Sequence, residues 1–104
     1  MILYLSGPIS GDPDYKAKFD AAESYLSNWK NHTVLNPAML PIGLKEYDDY
    51  MTIGYAMLDA ADGIVMLAGW KKSQGAKEEL RAAIHSGKKC FYGIESVPIT
   101  TAEG

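Results

Sequence analysis

Three groups of side chains in this sequence could do chemistry. The first is a loop, Ser6-Gly7-Pro8-Ile9-Ser10-Gly11-Asp12-Pro13, which follows a short apolar run and leads toward a helix start. Free amides and the helix dipole favour anions there. The loop lacks the Gly-Lys-Ser/Thr of a Walker loop and the G-x-G-x-x-G spacing of dinucleotide folds. From its residues alone it is either a plain strand-to-helix turn or a ligand-binding loop. The second group is Glu78-Glu79, inside a helix opened by Ser73-Gln74-Gly75. The apolar stripe of that helix is Ala76, Leu80, Ala83, Ile84 and Gly87. Glu78 falls opposite the stripe, in solvent, whereas Glu79 falls roughly 80° from its centre, on the shoulder of the buried face. Partial burial there raises a carboxyl pKa and the helix start lowers it. The alternative is a surface Glu complementing the dipole and pairing with Lys77 or Lys72. The third group is Tyr4, whose hydroxyl can reach the strand end and bond a carboxylate, or which is simply a core tyrosine.

The remaining candidates are weaker. Ser73 can cap its helix and still touch a ligand phosphate. Trp70 and Tyr50 can stack on a base or fill a core. Asp62 reads as a turn residue, and Glu46-Tyr47-Asp48-Asp49 as the end of a loop and the acidic first turn of a helix. Neither Cys90, in a strand, nor His85, on an outer helix face, has a visible partner for nucleophilic work. Two histidines and one cysteine cannot assemble a zinc cluster, so no metal is expected.

The elements that must position these groups alternate. Ile2–Leu5 reads as a strand buried on both faces. A helix over about 14–30 follows, with Asp12 as cap, Pro13 in its first turn, and Tyr15, Phe19, Ala22, Leu26 and Trp29 as its apolar stripe. Thr33–Leu35 is a second strand. A second helix covers about 47–60, burying Tyr47, Tyr50, Met51, Gly54, Met57, Leu58 and Ala61. Gly63–Leu67 is a third strand, a third helix covers about 74–87 with Gly87 as its stop, and a fourth strand covers about 89–94. From Glu95 on, the tail has little periodicity and reads as irregular. This alternation predicts one α/β domain over 1–104, with a four- to five-stranded parallel sheet and helices on both faces. Ligands of such sheets bind beyond the carboxyl ends of the strands, which here means the loops Ser6–Pro13, Asn36–Glu46 and Ala68–Gly75.

Composition narrows the partners. The chain has 104 residues, 47% of them apolar, and a net charge of −3. With a pI of about 5.2 and Arg81 as the only arginine, a nucleic-acid polymer is not the expected partner. No run is long enough to span a bilayer, and no secretory signal is visible at the N-terminus. A single cysteine suits a reducing cytosol.

In order and spacing, several pieces of the chain resemble the nucleoside 2-deoxyribosyltransferase-like superfamily, especially its short phage-type members and the related deoxynucleoside 5′-monophosphate N-glycosidases. These pieces are Tyr4 to Gly11, Asn36-Pro37-Ala38, Tyr50-Met51, Ala61 to Leu67, Gly69 to Glu79, Ala83 and Gly87-Lys88. The resemblance covers about residues 1–93. It implies a flavodoxin-like three-layer sandwich. It also implies that Glu79, four residues after Gly75, is the nucleophile, the same side chain that the helical wheel places beside the sheet edge. Tyr4 would orient it. Ser6, Gly7, Pro8, Ile9, Ser10, Ser73 and Gly75 would surround sugar or phosphate, with Gly54 and Trp70 near sugar or base.

The chain departs from the superfamily in three places. Gly54 and Ser73 stand where the transferases carry aspartates, and Ser10 stands where the hydrolases often carry an arginine, leaving Lys71 or Lys72 as substitutes. No general acid is assigned. A glycine inside a helix costs about 1 kcal/mol relative to alanine, so Gly54 makes room either for a ligand or for tight packing. The implied activity is cleavage or transfer at the N-glycosidic bond of a 2′-deoxynucleoside or its 5′-monophosphate, with no cofactor and as a homodimer or higher homo-oligomer. The alternatives are a nucleotide-binding module without catalysis and an interaction protein using the fold as a scaffold.

Overall fold

The structure, a computed structural model, describes residues 1–41, 43 and 47–100. Its first strand, β1 (Ile2–Ser6), separates two apolar layers because successive side chains point to opposite faces. Leu3 and Leu5 pack with Phe19, Ala22, Leu26, Ala38, Val65, Leu67 and Val97. Tyr4 packs on the other side with Leu58, Ala61, Ile64, Met66, Ala76, Leu80 and Ala83. Both faces are covered, which is why the strand reads as one continuous apolar run. Ser6, two residues beyond Tyr4, shares its face.

β1 pairs in parallel with β2 (Thr33–Leu35) on one side and β3 (Gly63–Met66) on the other, and β4 (Lys89–Tyr92) adds beyond β3. The order is β2-β1-β3-β4. Helix α1 (Tyr15–Ser24) contributes to the first layer; α2 (Tyr47–Ala60) and α3 (Gln74–His85) build the second. This is the α/β three-layer arrangement expected, with an all-parallel sheet consistent with a flavodoxin-like sandwich. No helix among the described residues is long and apolar enough to cross a membrane.

Four local expectations need correction. Asp12 does not cap α1: its Oδ1 accepts from the Asp14 amide at 2.9 Å and its Oδ2 from Lys18 Nζ at 2.8 Å, a turn ahead of the helix. Past Ser24 the chain continues in a π-helical turn, Tyr25–Trp29, before Asn31 reverses it at φ 61°. A wider turn rotates less per residue, so Trp29 stops short of the buried face and is 76% exposed. In α3 the buried residues are Ala76, Glu79, Leu80 and Ala83. Relative to the expected stripe, this face is turned roughly 30° toward Glu79; Ile84 consequently lies in solvent. On α2, Gly54 and Leu58 are buried but Tyr47 is exposed. Leu44, Lys45 and Glu46, at the end of the second loop, lie outside the described residues, as does Ile42.

The tail, expected to be irregular, carries only the short turn Ile94–Ser96, yet it is anchored: Val97 is 1% exposed and inserts into the α1-side core. The Lys30 ammonium donates to the carbonyls of Ile94 at 3.4 Å, of Glu95 at 3.0 Å and of Val97. His32 donates from Nε2 to the Pro98 carbonyl at 2.6 Å. One apolar anchor has no period to detect, so sequence patterning could not show it. Val97→Ala, which removes two buried methyl groups, should destabilise the fold by about 2 kcal/mol and lower Tm by roughly 10 °C. Ile99→Ser, on the exposed part of the same tail, should stay within about 0.5 kcal/mol of the parent. Thermal melts of the two variants check this.

Candidate active site

The site is assembled from two periodicities. The two-residue repeat of β1 presents the hydroxyls of Tyr4 and Ser6 to the α2–α3 layer at the carboxyl edge of the sheet. The 3.6-residue repeat of α3 turns Glu79 toward them. Ser73 starts that helix, its Oγ accepting from the Ala76 amide at 3.2 Å. Tyr4 Oη donates to Glu79 Oε2 at 2.5 Å and Ser6 Oγ donates to Oε1 at 2.6 Å. Glu79 is 8% exposed, so each carboxylate oxygen leaves water for a hydroxyl.

Gly54 closes the site from α2. A Cβ at this position would stand 2.8 Å from Glu79 Oε2 and 2.9 Å from Tyr4 Oη. Of the two explanations for a mid-helix glycine, tight packing is the one observed: the helix backbone lies directly behind the carboxylate. Oε2 is thus walled in by Tyr4 and α2, while Oε1 is held on the Ser6 side.

Burial sets the electrostatics. It raises the Glu79 pKa above the ordinary carboxylate range; the Ser6 and Tyr4 hydrogen bonds oppose the rise and the neighbouring Glu78 charge adds to it. Tyr4 is pushed far above the usual phenol range, by burial first and then by the charge and hydrogen bond of Glu79. It therefore remains an O–H donor at any working pH. On the outer side of α3, Glu78 accepts from Tyr47 Oη and from Gln74 Nε2, each at 3.1 Å. Desolvation and this contact push the Tyr47 phenol up to about 12.

A cavity of about 440 Å³ opens beside Glu79, in the size range of small-molecule pockets. The structure brings Tyr4, Ser6, Gly7, Pro8, Ile9, Ser10, Ser73, Gly75 and Glu79 together on its walls. Two sequence-predicted residues are not on them. Gly54 lies behind the Tyr4–Glu79 pair rather than in the cavity. Trp70 is carried away by Gly69, whose φ of 86° turns the chain after β3, and its ring lies 5.9 Å from that of Tyr92.

Sequence reasoning placed Tyr47 and Met51 in the core and left Tyr50 between core and base stacking. Their helical spacing reads as a core stripe, yet they line the cavity together with Phe19, Leu40 and Gln74. The available signal was the glycine at the end of that stripe, since a face that closes on Gly54 leaves room above it. Among the described residues, no group of three or more His, Cys, Asp or Glu gathers as metal ligands would.

Two outcomes follow from this geometry. Gly54→Ala should lose about 1–3 kcal/mol of stability to overpacking, despite alanine's higher helix propensity. Combining it with Tyr4→Phe, which vacates the hydroxyl's place, should recover part of that loss; denaturant titration of the singles and the double measures the coupling. A raised carboxyl pKa means that ionising Glu79 weakens the fold. Wild-type stability relative to Glu79→Gln should therefore be highest in acid and fall as pH rises through the folded-state pKa. Paired melts across that range read the difference.

No curated protein and no solved structure matches the chain. One family model does, over residues 1–92, a span that takes in all four strands and the Tyr4–Ser6–Gly54–Glu79 assembly. The chain belongs to the family described as Domain of unknown function (DUF4406).

Proposed function

We propose that this protein cleaves or transfers at the N-glycosidic bond of a 2′-deoxynucleoside or its 5′-monophosphate, with Glu79 as nucleophile. The observation that carries this reading is a buried carboxylate, held by two hydroxyls, on the wall of a nucleoside-sized cavity. The resemblance to the nucleoside 2-deoxyribosyltransferase-like superfamily points to the same residue.

In this reaction Glu79 Oε1 attacks C1′ as the bond to the base breaks and its electron pair leaves with the base, through an oxocarbenium-like transition state. The carboxylate becomes a glycosyl ester, with Tyr4 donating to its carbonyl oxygen, Oε2. Water or a second base then takes C1′ and returns the carboxylate. Among the described residues lining the cavity, Glu79 is the only acid, so the departing base takes its proton from water or a hydroxyl. Ser10, Ser73 and Lys72, on the cavity wall, are the donors this reading assigns to sugar or phosphate oxygens. Action in the cytosol, on a small molecule rather than a polymer and as at least a dimer, belongs to the same reading.

Chromatography after incubation with a panel of deoxynucleosides and deoxynucleotides, each with and without an acceptor base, tests it. Base release without acceptor indicates hydrolysis; exchange only with acceptor indicates transfer. Glu79→Gln should abolish turnover and Glu78→Ala should retain it. Tyr4→Phe, by letting the carboxylate swing, should cost about 10²-fold in kcat. Nucleotide binding without base release in any arm would leave a binding module and remove the chemistry. Since attack needs the ionised form, kcat/KM should rise with pH through the elevated Glu79 pKa. Ser6→Ala should move that limb further up, because the lost hydrogen bond favoured the charged state.

A further inference from the structure

Trp70 has no role in the cavity at Glu79, yet it stands at a second one. This cavity, about 790 Å³, lies between α1, the turn after β3 and the end of β4, and shares Pro8, Phe19 and Lys72 with the first. The Pro8 ring forms the bar between them: a Cβ on Gly69 would touch its Cγ at 3.3 Å, so the loops after β1 and β3 meet there.

The far side of the bar is built for a flat ring beside a negative charge. Trp70 and Tyr92 lie 5.9 Å apart and tilted by 40°, with Tyr92 55% exposed. Lys71 Nζ sits 5.8 Å from the Trp70 ring centre. Asp12 and Lys18 on this wall neutralise each other at 2.8 Å, while neither Lys71 nor Lys72 forms an ion pair with another described residue. These two lysines outnumber the remaining acid, Glu95, so the wall is net cationic.

We propose that the two cavities are halves of one substrate groove that takes a dinucleotide-type ligand, with the first sugar at Glu79, the linking phosphate crossing the bar at Lys72 and the second base against Trp70 and Tyr92. This deepens the glycosidic reading and rests on it only for the placement of the first sugar. Aromatic stacking is tolerant of base identity, and an ammonium recognises phosphate as a point charge. The groove therefore selects for a second ring joined through phosphate rather than for a particular base.

The test is calorimetry on the full chain carrying Glu79→Gln, so that turnover does not intervene. The probes are 2′-deoxyadenosine 5′-monophosphate, two 2′-deoxyadenosines joined 5′-to-5′ by a diphosphate, and the 3′,5′-linked dinucleotide of the same base. At least one linked form should bind about tenfold or more tightly than the monophosphate; which one does so identifies the linkage. In a Trp29→Phe background, which leaves Trp70 as the only tryptophan, that ligand should quench the fluorescence. Trp70→Ala, and separately the more exposed Tyr92→Ala, should bring the affinity ratio to about one.

The proposal is overturned if neither linked form exceeds the monophosphate, or if the preference survives both substitutions. It is also overturned if the ratio falls only because a dimer has dissociated, as light scattering would reveal. A clear preference with no base release from any deoxynucleotide keeps the groove and removes the glycosidic chemistry. Base release from the monophosphate with no preference does the reverse.

Discussion

A carboxylate taken out of water must find donors or give up its charge, and the architecture around Glu79 answers that requirement. Tyr4 supplies one hydroxyl, Ser6 the other, and Gly54 lets a helix backbone come close enough to shut solvent out behind them. Each partner is set by a different element. Losing one donor from a buried charged group costs about 1–3 kcal/mol, so strand, helix and glycine are bound into one unit. Desolvation still outweighs the two hydrogen bonds, and the group is left more basic than a surface glutamate.

That balance suits a nucleophile. A fully solvated carboxylate is a weak base and is stabilised before it reacts, whereas one held by two hydroxyls at a dry wall is already placed and partly stripped of water. The phenol of Tyr4 cannot ionise alongside it, because burial and the adjacent negative charge both oppose a second anion. Ser6, read from the sequence as a sugar or phosphate contact, lines the cavity and also donates to the carboxylate. Its place on β1, one alternation beyond Tyr4, makes the pair of hydroxyls a product of strand geometry rather than of a flexible loop.

Much of this was legible in the residues. The alternation of short apolar runs with amphipathic stretches gives the layers, and the wheel position of Glu79 places it on the inner shoulder of its helix. The Ser73 cap and the Gly87 stop also follow from local chemistry, with Gly87 at φ 72°. The misses have physical causes. The π turn that leaves Trp29 in solvent has no mark in the hydrophobic period. Val97 is the one fully buried apolar side chain of the described tail. The α2 stripe of Tyr47, Tyr50 and Met51 could not be told from core, because large side chains that line a cavity and those that fill one have the same spacing. Trp70 depended on the direction of a left-handed glycine turn, which the sequence allows but does not aim.

The most direct measurement is to catch the covalent intermediate. The protein is mixed with a deoxynucleoside 5′-monophosphate, quenched in acid within the first turnovers, digested and mapped by mass spectrometry. The account predicts a glycosyl ester of 2-deoxyribose, still carrying its 5-phosphate, on the peptide containing Glu79, joined through C1′ to that side chain and absent from Glu79→Gln. Steady base release with no adduct at Glu79, or with the adduct on another residue, would contradict it.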